Sequence, residues 1–505
     1  MKPRGFLQND ANVSLLLDAI AEDEDLEACY EEIFSTMIGD SNYKKHNIDD
    51  IANQQLHLTA VEREKLKQLL SRYDTLFDGK LGHYRGRKIH LEIDKNAKPY
   101  HGKAYAIPHA HKEPFIKELK RLVEIGVLCI CRGTEWAAPT FIVPKKDGKV
   151  RWVSDFRELN KVLKRKQYPL PNIKEIIQQR KGYKYFTKLD LTMMFYNMEL
   201  DNESKELATI VTPFGKFQYC RLAMGLKTAP DEAQALIDEI LGDLDCERYI
   251  DDIGIMHQDY DEHMKVLQQV LTRLQEHGLK VNPVKCEWCV KETNFLGHWL
   301  TPTGIKPWQK KIDAILQLSP PKDKTQLKSF LGAVTYYRTM WPRRSHILHP
   351  LTKLTGNVPY EWKPEHQKAF EEMKAVMAAE ALTAYPNHNL PFKIYTDASN
   401  YQMGAVIIQN GRIVAYWSRK LNDAQQHYTT MEKELLSCVY CLQEFRSMLL
   451  GADITIYTDH KNLTFRTMNV QRVLCWRILL EEFGPKFIYH PGKDNVLADM
   501  FLRLP

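Results

Sequence analysis

The stretch "YIDDIGIM", Tyr249–Met256, places two acidic residues, Asp251 and Asp252, side by side in an apolar run. The apolar residues on both sides predict a buried or half-buried strand. Adjacent carboxylates repel each other, so the pair needs an explanation. A surface turn is the ordinary explanation, because acidic residues are common in turns. A metal site is the alternative, and the rest of the sequence favours it.

A third carboxylate, Asp190, ends the strand predicted over "YFTKLDL". A strand that ends in Asp beside a hairpin that carries Asp-Asp can bring three carboxylates together. Such a cluster is costly unless divalent cations neutralise it, and Mg²⁺ binds through one or two carboxylates plus substrate phosphates. Two ions about 3.5–4 Å apart can stabilise both the attacking and the leaving oxygen of a phosphoryl transfer. The three carboxylates therefore suit a two-metal site, and the choice between this site and a surface turn depends on the surrounding motifs.

The net charge is unevenly distributed along the 505 residues, a length that predicts several domains. The whole chain carries +6 at pH 7, but its first 50 residues hold four basic and twelve acidic side chains. The first 50 residues therefore carry a net charge of −8, and the rest of the chain carries +14. A basic body indicates a polyanionic partner, although many solvated surfaces are also basic.

Two classes of protein are disfavoured by the sequence. No apolar run approaches the roughly 20 residues of a membrane helix, and the start lacks the apolar core of a secretory signal. We therefore expect no membrane association and a soluble intracellular protein. The ten cysteines include two CxxC pairs, Cys286/Cys289 and Cys438/Cys441, but neither has a second ligand pair nearby. They are predicted to be buried reduced thiols and not zinc ligands.

Local patterns predict several elements. Thr59 and Glu62 form a capping-box pattern ahead of an amphipathic helix. A second helix over "EPFIKELKRLVEIGVL" is predicted to end at Gly126. The stretch "PTFIVPKKDGKVRWVSDF" is typical of a hairpin that turns at Asp147-Gly148. A break rich in Pro and Asn, "YPNHNLP", marks a domain boundary ahead of a fresh α/β pattern.

From about residue 60 to its end, the chain closely resembles the reverse transcriptase–ribonuclease H part of Ty3/gypsy-type LTR retrotransposons. The motifs that carry the resemblance run in order along the chain: "PTFIVPKKDGKVRWVSDFRELN", "YPLPNI", "FTKLDL", "TIVTPFGKFQYCRLAMGLKTAP", "YIDD", "FLGHWLTPTGIKP", "YTDAS" and "YTDHKNL". The resemblance implies an α+β fold, in which a right-hand polymerase with fingers, palm and thumb precedes an α/β ribonuclease H-like domain. The implied domains are an acidic N-terminal linker of disordered-type composition over 1–60, fingers and palm over 61–302, a mainly helical thumb or connection over 303–390, and ribonuclease H over 391–505.

The resemblance also assigns roles to residues of the polymerase part. Asp190 and Asp251 match the principal metal ligands, and Asp252 matches the third member of the triad. The implied dNTP-binding residues are Lys145, Arg151, Phe195, Met224 and Gly225. Solvated hairpin charge is the alternative for the two basic residues, and a core position is the alternative for Phe195, whose implied role is a steric gate against ribose. The implied primer grip is Phe295, Leu296, Gly297 and His298. Two departures from the family pattern put rate and fidelity in doubt, namely Ala223 in place of Pro and the run Met194–Asn197 in place of Gly-Tyr-His-Gln.

The C-terminal part carries a second set of carboxylates. Asp397, Glu434, Asp459 and Asp499 match the ribonuclease H quartet in order, and four carboxylates suit two Mg²⁺ ions. Glu432 and Glu434 lie two positions apart, about 200° around a helix, so only one can face the site. The family pattern selects Glu434 and leaves Glu432 solvated. His490 matches a mobile catalytic histidine of the family, with a structural role as the open alternative.

Together these features predict a bifunctional enzyme. The first activity extends a DNA primer with dNTPs on an RNA or DNA template, and the second cuts the RNA strand of RNA–DNA hybrids. We expect two Mg²⁺ ions per active site, with Mn²⁺ as an alternative, and a location in the cytoplasm, within a virus-like particle, or in the nucleus.

Two other hypotheses are an inactive nucleic-acid-binding remnant and a DNA-templated repair polymerase. The complete set of carboxylates disfavours the first, and the nuclease quartet disfavours the second. Because no aspartic protease motif precedes and no integrase region follows, the chain is expected to be a processed segment or a truncated element.

Overall fold

The computed structural model describes residues 47–131, 133–144, 150–179, 182–379, 381–460 and 471–490. The helices, in chain order, are α1 Ile48–Asn53, α2 Ala60–Ser71, α3 His109–Glu124, α4 Arg157–Val162, α5 Ile173–Gln179, α6 Asn202–Leu207, α7 Ala229–Leu241, α8 Tyr260–Glu276, α9 Gln309–Leu316, α10 Lys324–Tyr336, α11 Arg344–Ile347, α12 His349–Leu354, α13 Pro364–Ala378, α14 Asp423–Gln426, α15 Thr430–Glu444, α16 Arg446–Leu449 and α17 Gln471–Glu481. Over these ranges, no helix is both long enough and apolar enough to cross a membrane.

The strands form four sheets. In chain order they are β1 Leu128–Ile130, β2 Ala138–Pro144, β3 Val150–Ser154, β4 Tyr185–Asp190, β5 Thr209–Thr212, β6 Gly215–Tyr219, β7 Glu247–Tyr249, β8 Asp252–His257, β9 Glu287–Val290, β10 Thr293–Phe295, β11 His298–Thr301, β12 Gly304–Pro307, β13 Phe392–Ala398, β14 Gln402–Gln409, β15 Arg412–Lys420, β16 Ile454–Thr458 and β17 Lys486–Tyr489. Helices and sheets are mixed throughout, as the predicted α+β class requires.

The described residues divide into two compact units. The first unit contains residues 47–171 and 183–291, and the second contains residues 172–182 and 292–490. The limits predicted for fingers, palm, thumb and ribonuclease H stay predictions. Within the stretch predicted as a linker, however, α1 is a helix whose Ile51 and Ala52 are buried. Residues 1–46 lie outside the described part.

Two sheets position the candidate polymerase site in the first unit. One has the strand order β1-β6-β5-β2-β3, and the other has the order β7-β8-β4-β9 with antiparallel pairing throughout. Helix α8 contributes Leu267, Val270, Leu271 and Leu274 to the core at positions three and four apart, which gives it one apolar face. A buried face of this kind anchors the sheet that carries the carboxylates.

The local predictions in this unit can be compared with the structure. The capping box at α2 is confirmed, because the Thr59 side chain accepts from the Glu62 backbone and Glu62 accepts from the Thr59 backbone. Gly126 follows the end of α3 with φ +72, as predicted. Strands β2 and β3 pair antiparallel, which confirms the hairpin. Its turn at Asp147-Gly148 lies outside the described residues.

A five-stranded sheet forms the core of the second unit. Its order is β15-β14-β13-β16-β17, with β13, β16 and β17 parallel and the other pairs antiparallel. Helix α15 packs on it through Leu435, Cys438, Val439 and Leu442, which are all buried. In the same unit the short sheet β10-β11-β12 precedes the helices α9 to α13.

Candidate active sites

The pairing of β4 with β8 brings the first set of carboxylates together. The register sets Asp190 directly opposite Asp252, and in an antiparallel sheet opposite Cα atoms lie about 4.5–5.5 Å apart. Asp251 lies in the turn that precedes β8, and its carbonyl accepts a hydrogen bond from the Leu191 backbone at 3.3 Å. All three predicted metal ligands therefore lie at one end of the same sheet.

The turn that carries Asp251 is strained. Ile250 has φ +53, a conformation that β-branched residues rarely adopt and that costs roughly 1–3 kcal/mol. The fully buried side chain of Gln234 on α7 holds the turn, because its Oε1 accepts from the Ile250 backbone N–H at 2.9 Å. Its Nε2 donates in turn to Asp238 at 3.2 Å. Gln234, which lies 16 residues before Ile250, thus holds the turn that carries Asp251.

Two lysines lie against the cluster. Lys285 Nζ is 3.4 Å from Asp190 Oδ1, and Lys188 Nζ is 3.4 Å from Asp252 Oδ1. Burial works against the charged form of Lys188, but the neighbouring carboxylates, Asp252 foremost, outweigh it and raise the pKa of the lysine. Neither lysine was predicted from the sequence.

The carboxylates themselves are hard to ionise. Burial raises the pKa of Asp190 to about 6, Lys285 opposes this shift, and Asp252 adds to it. Burial, followed by repulsion from Asp252 and Asp190, also raises the pKa of Asp251. The two lysines therefore do not offset the effect of burial on Asp190 and Asp251.

The backbone of Asp190 is fixed by a segment that leads into β9. Its N–H donates to Cys286 Sγ at 3.4 Å, and its carbonyl accepts from the Asn282 N–H at 2.9 Å. The Cys286 thiol donates to the Asn282 carbonyl at 3.2 Å. Burial raises its pKa far above the usual range, so the thiol stays protonated. The prediction that the CxxC cysteines are buried and reduced is confirmed, since all four are free and buried.

The loop after Asp190 contains the predicted steric gate. Phe195 lies in a single 3-10 turn, Met194–Asn197, with 2% of its side chain exposed. Asn197 Nδ2 donates to the carbonyls of Thr192, Met193 and Met194 at 2.9, 3.0 and 3.2 Å. Asn197 is one of the residues that departs from the family pattern, and here it fixes the gate loop. The gate role of Phe195 stays a prediction.

Two of the remaining predicted dNTP-binding residues, Met224 and Gly225, lie in one turn. Gly225 is exposed with φ +89, Met224 is half-buried, and Asn160 holds this turn. The Asn160 side chain donates to the Gly225 carbonyl at 2.8 Å and accepts from the Lys227 N–H at 3.0 Å. Arg151 lies on β3 but its side chain is outside the described part, as is the whole of Lys145.

The predicted primer grip forms the tight hairpin between β10 and β11 in the second unit. Leu296 and Gly297 have φ +48 and +75, the signature of a two-residue type I′ turn. Phe295 is fully buried and His298 is 8% exposed. Burial lowers the pKa of His298 to about 4.

Two tyrosines hold this turn through its carbonyl groups. Tyr336 Oη donates to the Leu296 carbonyl at 3.0 Å, and Tyr337 Oη donates to the Gly297 carbonyl at 2.6 Å. A Cβ atom on Gly297 would lie 2.5 Å from Tyr336 Oη. Lys311 Nζ lies 4.0 Å from the Tyr336 ring centroid, and burial lowers the pKa of this lysine to about 8. The turn is thus fixed by residues about 40 positions downstream.

The second set of carboxylates lies at the ends of two parallel strands. Tyr395 on β13 is in register with Tyr457 on β16, and Asp397 and Asp459 each follow two residues later. Glu434 on α15 is 1% exposed and accepts from the Ala398 N–H at 2.7 Å. The structure therefore brings these three predicted residues together, whereas Asp499 lies outside the described residues.

Glu432 was predicted to be solvated, but its side chain does not point freely into solvent. It is half-buried and completes a capping box at the start of α15, where it accepts from the Thr429 N–H at 2.9 Å and from the Thr429 hydroxyl at 3.0 Å. The pattern Thr-x-x-Glu was readable in the sequence. The choice of Glu434 as the buried acid agrees with the helix geometry.

His490 lies at the edge of the second cluster. The backbone N–H of His490 donates to the carbonyl of Thr458, the residue before Asp459, at 2.9 Å. Its ring centroid is 6.1 Å from that of Tyr457. The structure thus places His490 beside the end of β16, while the choice between a catalytic and a structural role stays open.

The donor chemistry of both clusters fits a divalent cation. All the candidate ligands are carboxylate oxygens, which Mg²⁺ prefers, and burial together with mutual repulsion raises the pKa of Asp190 and of Asp251, an effect that a bound cation would oppose. Over the ranges that the structure describes, no group of three or more His, Cys, Asp or Glu side chains closes around an ion position. A magnesium site needs only one or two protein carboxylates beside substrate oxygens, so this arrangement accommodates one.

Comparison with known families identifies both parts of the chain. Residues 143–300 match the family described as "Reverse transcriptase (RNA-dependent DNA polymerase)". Residues 362–456 match the "RNase H-like domain found in reverse transcriptase". Domains of these two kinds are generally dependent on divalent metal ions.

Similar proteins of known name are retrotransposon polyproteins. The chain is 34% identical over 474 residues to the retrovirus-related Pol polyprotein from transposon opus of Drosophila melanogaster, covering 88% of this chain and 47% of the relative. It is 30% identical over 436 residues to the transposon Tf2-3 polyprotein of Schizosaccharomyces pombe, covering 83% of this chain and 33% of the relative. The chain thus spans about half or less of the length of these relatives.

Solved structures support the fold. A foamy viral protease–reverse transcriptase in complex with double-stranded DNA has a TM-score of 0.80 at 23% identity, covering 90% of this chain and 99% of that chain. The same kind of protein in complex with an RNA/DNA hybrid has a TM-score of 0.75 at 22% identity, covering 90% of this chain and 64% of that chain. The two matching domains and the identity of 30–34% to retrotransposon polyproteins agree: the chain belongs to the reverse transcriptase–ribonuclease H family of Ty3/gypsy-type LTR retrotransposon Pol proteins.

Proposed function

We propose that the chain extends a DNA primer with dNTPs on RNA or DNA templates, and that it cuts the RNA strand of RNA–DNA hybrids. The observation that carries the first activity is the register of β4 and β8, which sets Asp190 opposite Asp252 with Asp251 held in a strained turn beside them. All three residues lie within the range 143–300 that matches the reverse transcriptase family.

In the proposed polymerase reaction, Asp190 and Asp251 would hold two Mg²⁺ ions. When bound, these ions supply Lewis-acid stabilisation of the attacking and leaving oxygens. The protein's contribution is to fix the carboxylates: Gln234 anchors the turn at Asp251, and the Cys286 thiol anchors the end of β4. Lys188, whose pKa is raised, holds Asp252 in place as a charged partner. By the family resemblance, Lys145 and Arg151 grip the triphosphate.

Primer extension tests this activity. Wild-type protein with Mg²⁺ should extend oligo(dT) on poly(rA), and Asp251→Asn should lower the rate at least about a hundredfold. Asp243→Asn, which changes an exposed carboxylate of the same unit, is the matched control and should extend at the wild-type rate. No extension by folded wild-type protein would refute the proposal.

The proposed nuclease reaction uses the second cluster. Asp397, Glu434 and Asp459 would hold divalent ions, whose chemistry when bound would be the activation of water, and Asp499 is assigned to the same set by resemblance. Glu434 is placed for this by burial and by its hydrogen bond from Ala398. The labelled RNA strand of an RNA–DNA hybrid should become shorter, and gel electrophoresis of the RNA fragments would measure the cleavage.

Glu434 and Glu432 provide a matched pair for the nuclease test. Glu434→Gln should abolish cleavage of the labelled hybrid, whereas Glu432→Gln should keep the cleavage rate and the thermal stability, because a glutamine at this position can still accept from the Thr429 N–H. Equal loss of cleavage in both folded variants, or an uncut hybrid with wild-type protein, would contradict the assignment.

A further inference from the structure

A patch of basic and aromatic side chains lies beside the nuclease cluster in the second unit. It consists of His349 and Lys353 on α12, Tyr401 in the turn between β13 and β14, and Lys420 at the end of β15. His349 and Lys353 are four residues apart, so they share one face of their helix. We refer to these four residues as the Lys353–Lys420 patch.

A ring contact and strand pairing place Tyr401 beside His349 and Lys420. The ring centroids of His349 and Tyr401 are 6.0 Å apart, and 58% of Tyr401 is exposed. Lys420 is in register opposite Gln402, and the following residue, Leu421, donates its N–H to the Tyr401 carbonyl at 2.9 Å. Lys420 and Tyr401 are therefore neighbours across the β14–β15 pair.

The helical side of the patch is tied to the sheet. The Ser345 N–H, on α11 directly ahead of α12, donates to Ser418 Oγ on β15 at 3.2 Å. The two serine hydroxyls are also hydrogen-bonded at 3.0 Å. These bonds link the helical segment to the strand that ends in Lys420.

The charge of the patch is positive. Lys353 and Lys420 are both exposed, and within the described residues neither forms an ion pair. Burial lowers the pKa of His349, and the positive charges of Lys353, Lys420 and His346 lower it further. The two lysines thus lie within electrostatic reach of the same ring and carry the permanent charge of the patch.

The patch adjoins the nuclease carboxylates along the chain and in space. Tyr401 follows Asp397 by four residues, at the turn that joins their two paired strands. Next to it, Asn400 accepts a hydrogen bond at 3.2 Å from Lys433, the neighbour of Glu434. A nucleic acid strand that reaches Asp397 would therefore meet Tyr401 and the two lysines at the rim of the cluster.

We propose that the Lys353–Lys420 patch binds the phosphate backbone of the RNA–DNA hybrid beside the nuclease site. Lysine side chains neutralise phosphates as point charges, and a tyrosine hydroxyl donates to phosphate or sugar oxygens without reading sequence. This inference rests on the proposed nuclease function, for which it supplies a substrate-binding surface.

Salt dependence of hybrid binding provides the test. Each lost phosphate contact lowers the slope of log K against log salt by roughly 0.7–0.9. In the double variant Lys353→Gln/Lys420→Gln, the fall in affinity between 50 and 200 mM KCl should therefore be about tenfold smaller than in the wild type. Fluorescence anisotropy of the full chain with a labelled RNA–DNA hybrid, without divalent cations, measures this.

The control changes two exposed lysines of the same unit outside the patch, in Lys322→Gln/Lys368→Gln, and should keep the wild-type slope. Tyr401→Ala should weaken binding severalfold with an unchanged slope, because it removes no charge. A wild-type slope in the Lys353→Gln/Lys420→Gln variant, with an unchanged melting temperature, would overturn the inference. Failure of the wild type to cut the hybrid with Mg²⁺ would instead overturn the proposed function, so the two failures are distinguishable.

Discussion

Acid should loosen the first unit through His263, a histidine buried beneath the strand that carries Asp190. His263 on α8 is 0% exposed, and its Nε2 lies 2.7 Å from the Thr187 hydroxyl on β4. That hydroxyl also accepts from the Cys289 N–H at 3.0 Å and lies 3.8 Å from Cys289 Sγ, so the ring is enclosed by uncharged groups that do not compensate an imidazolium. Burial, with a smaller contribution from His257, lowers the pKa of His263 to about 3.

The magnitude follows from the difference between folded and unfolded states. In the unfolded chain the imidazole takes up a proton near pH 6.5, whereas in the folded unit it does so only near pH 3. The contribution to stability is therefore complete above pH 6.5 and is lost as the pH falls towards 3. At about 1.36 kcal/mol per pH unit, going from pH 7.5 to 5.0 removes about 2 kcal/mol.

The assay compares the wild type with His263→Gln. Urea denaturation at both pH values, followed by hydrogen exchange of peptides from residues 183–191, reports the unfolding free energy of this unit. The variant should be less stable at pH 7.5, because Thr187 loses its partner, by roughly 1–3 kcal/mol. The gap between the two proteins should shrink by about 2 kcal/mol at pH 5.0.

The exposed His109 provides the control, because His109→Gln should leave the gap to wild type independent of pH. Other groups titrate equally in wild type and variant, so only the change in the gap is informative. A gap of the same size at pH 7.5 and pH 5.0 would refute the assignment of a neutral, proton-excluding His263.

Three further predictions concern residues that hold the candidate sites. Gly297→Ala should lower the free energy of unfolding by about 1–3 kcal/mol and weaken primer–template binding, because the residue has φ +75 and the new Cβ would meet Tyr336 Oη. The control is Gly133→Ala, which should leave thermal unfolding unchanged because nothing lies within 4 Å of the added Cβ. Tyr337→Phe removes the bonds to the Gly297 carbonyl and from the Trp308 N–H, and should raise KM for primer–template severalfold while kcat is retained in steady-state extension. Gln234→Ala leaves the Ile250 N–H without its acceptor, and should slow primer extension at least tenfold while hybrid cleavage by the same protein keeps its rate.

The carboxylate positions were predictable because they depend on local patterns. Asp190 ends β4 and Asp251-Asp252 lies at the turn into β8, and strand periodicity together with the family motifs was enough to predict these positions. Helix geometry showed that only one of Glu432 and Glu434 could face the site, and the family pattern selected Glu434. The pairing of Asp190 with Asp252 is the step that only the structure supplies.

The residues that hold these carboxylates were not predictable. Gln234, Asn160 and Tyr336 all bond to backbone groups of distant segments, at separations of 16, 65 and 40 residues. A side chain that satisfies a backbone group has no sequence pattern of its own, because its partner is chosen by the tertiary fold. Glu432 is different, since its capping pattern was readable at Thr429 and was overlooked.

The central claim is that one chain carries two independent active sites, and a primed RNA template labelled on both strands tests it in a single reaction. With Mg²⁺ and dNTPs, the wild type should lengthen the DNA primer and shorten the RNA. Asp251→Asn should shorten the RNA without lengthening the primer, and Glu434→Gln should lengthen the primer and leave the RNA intact. Loss of both activities from either substitution in a protein that melts at the wild-type temperature, or neither activity in the wild type, would contradict the account.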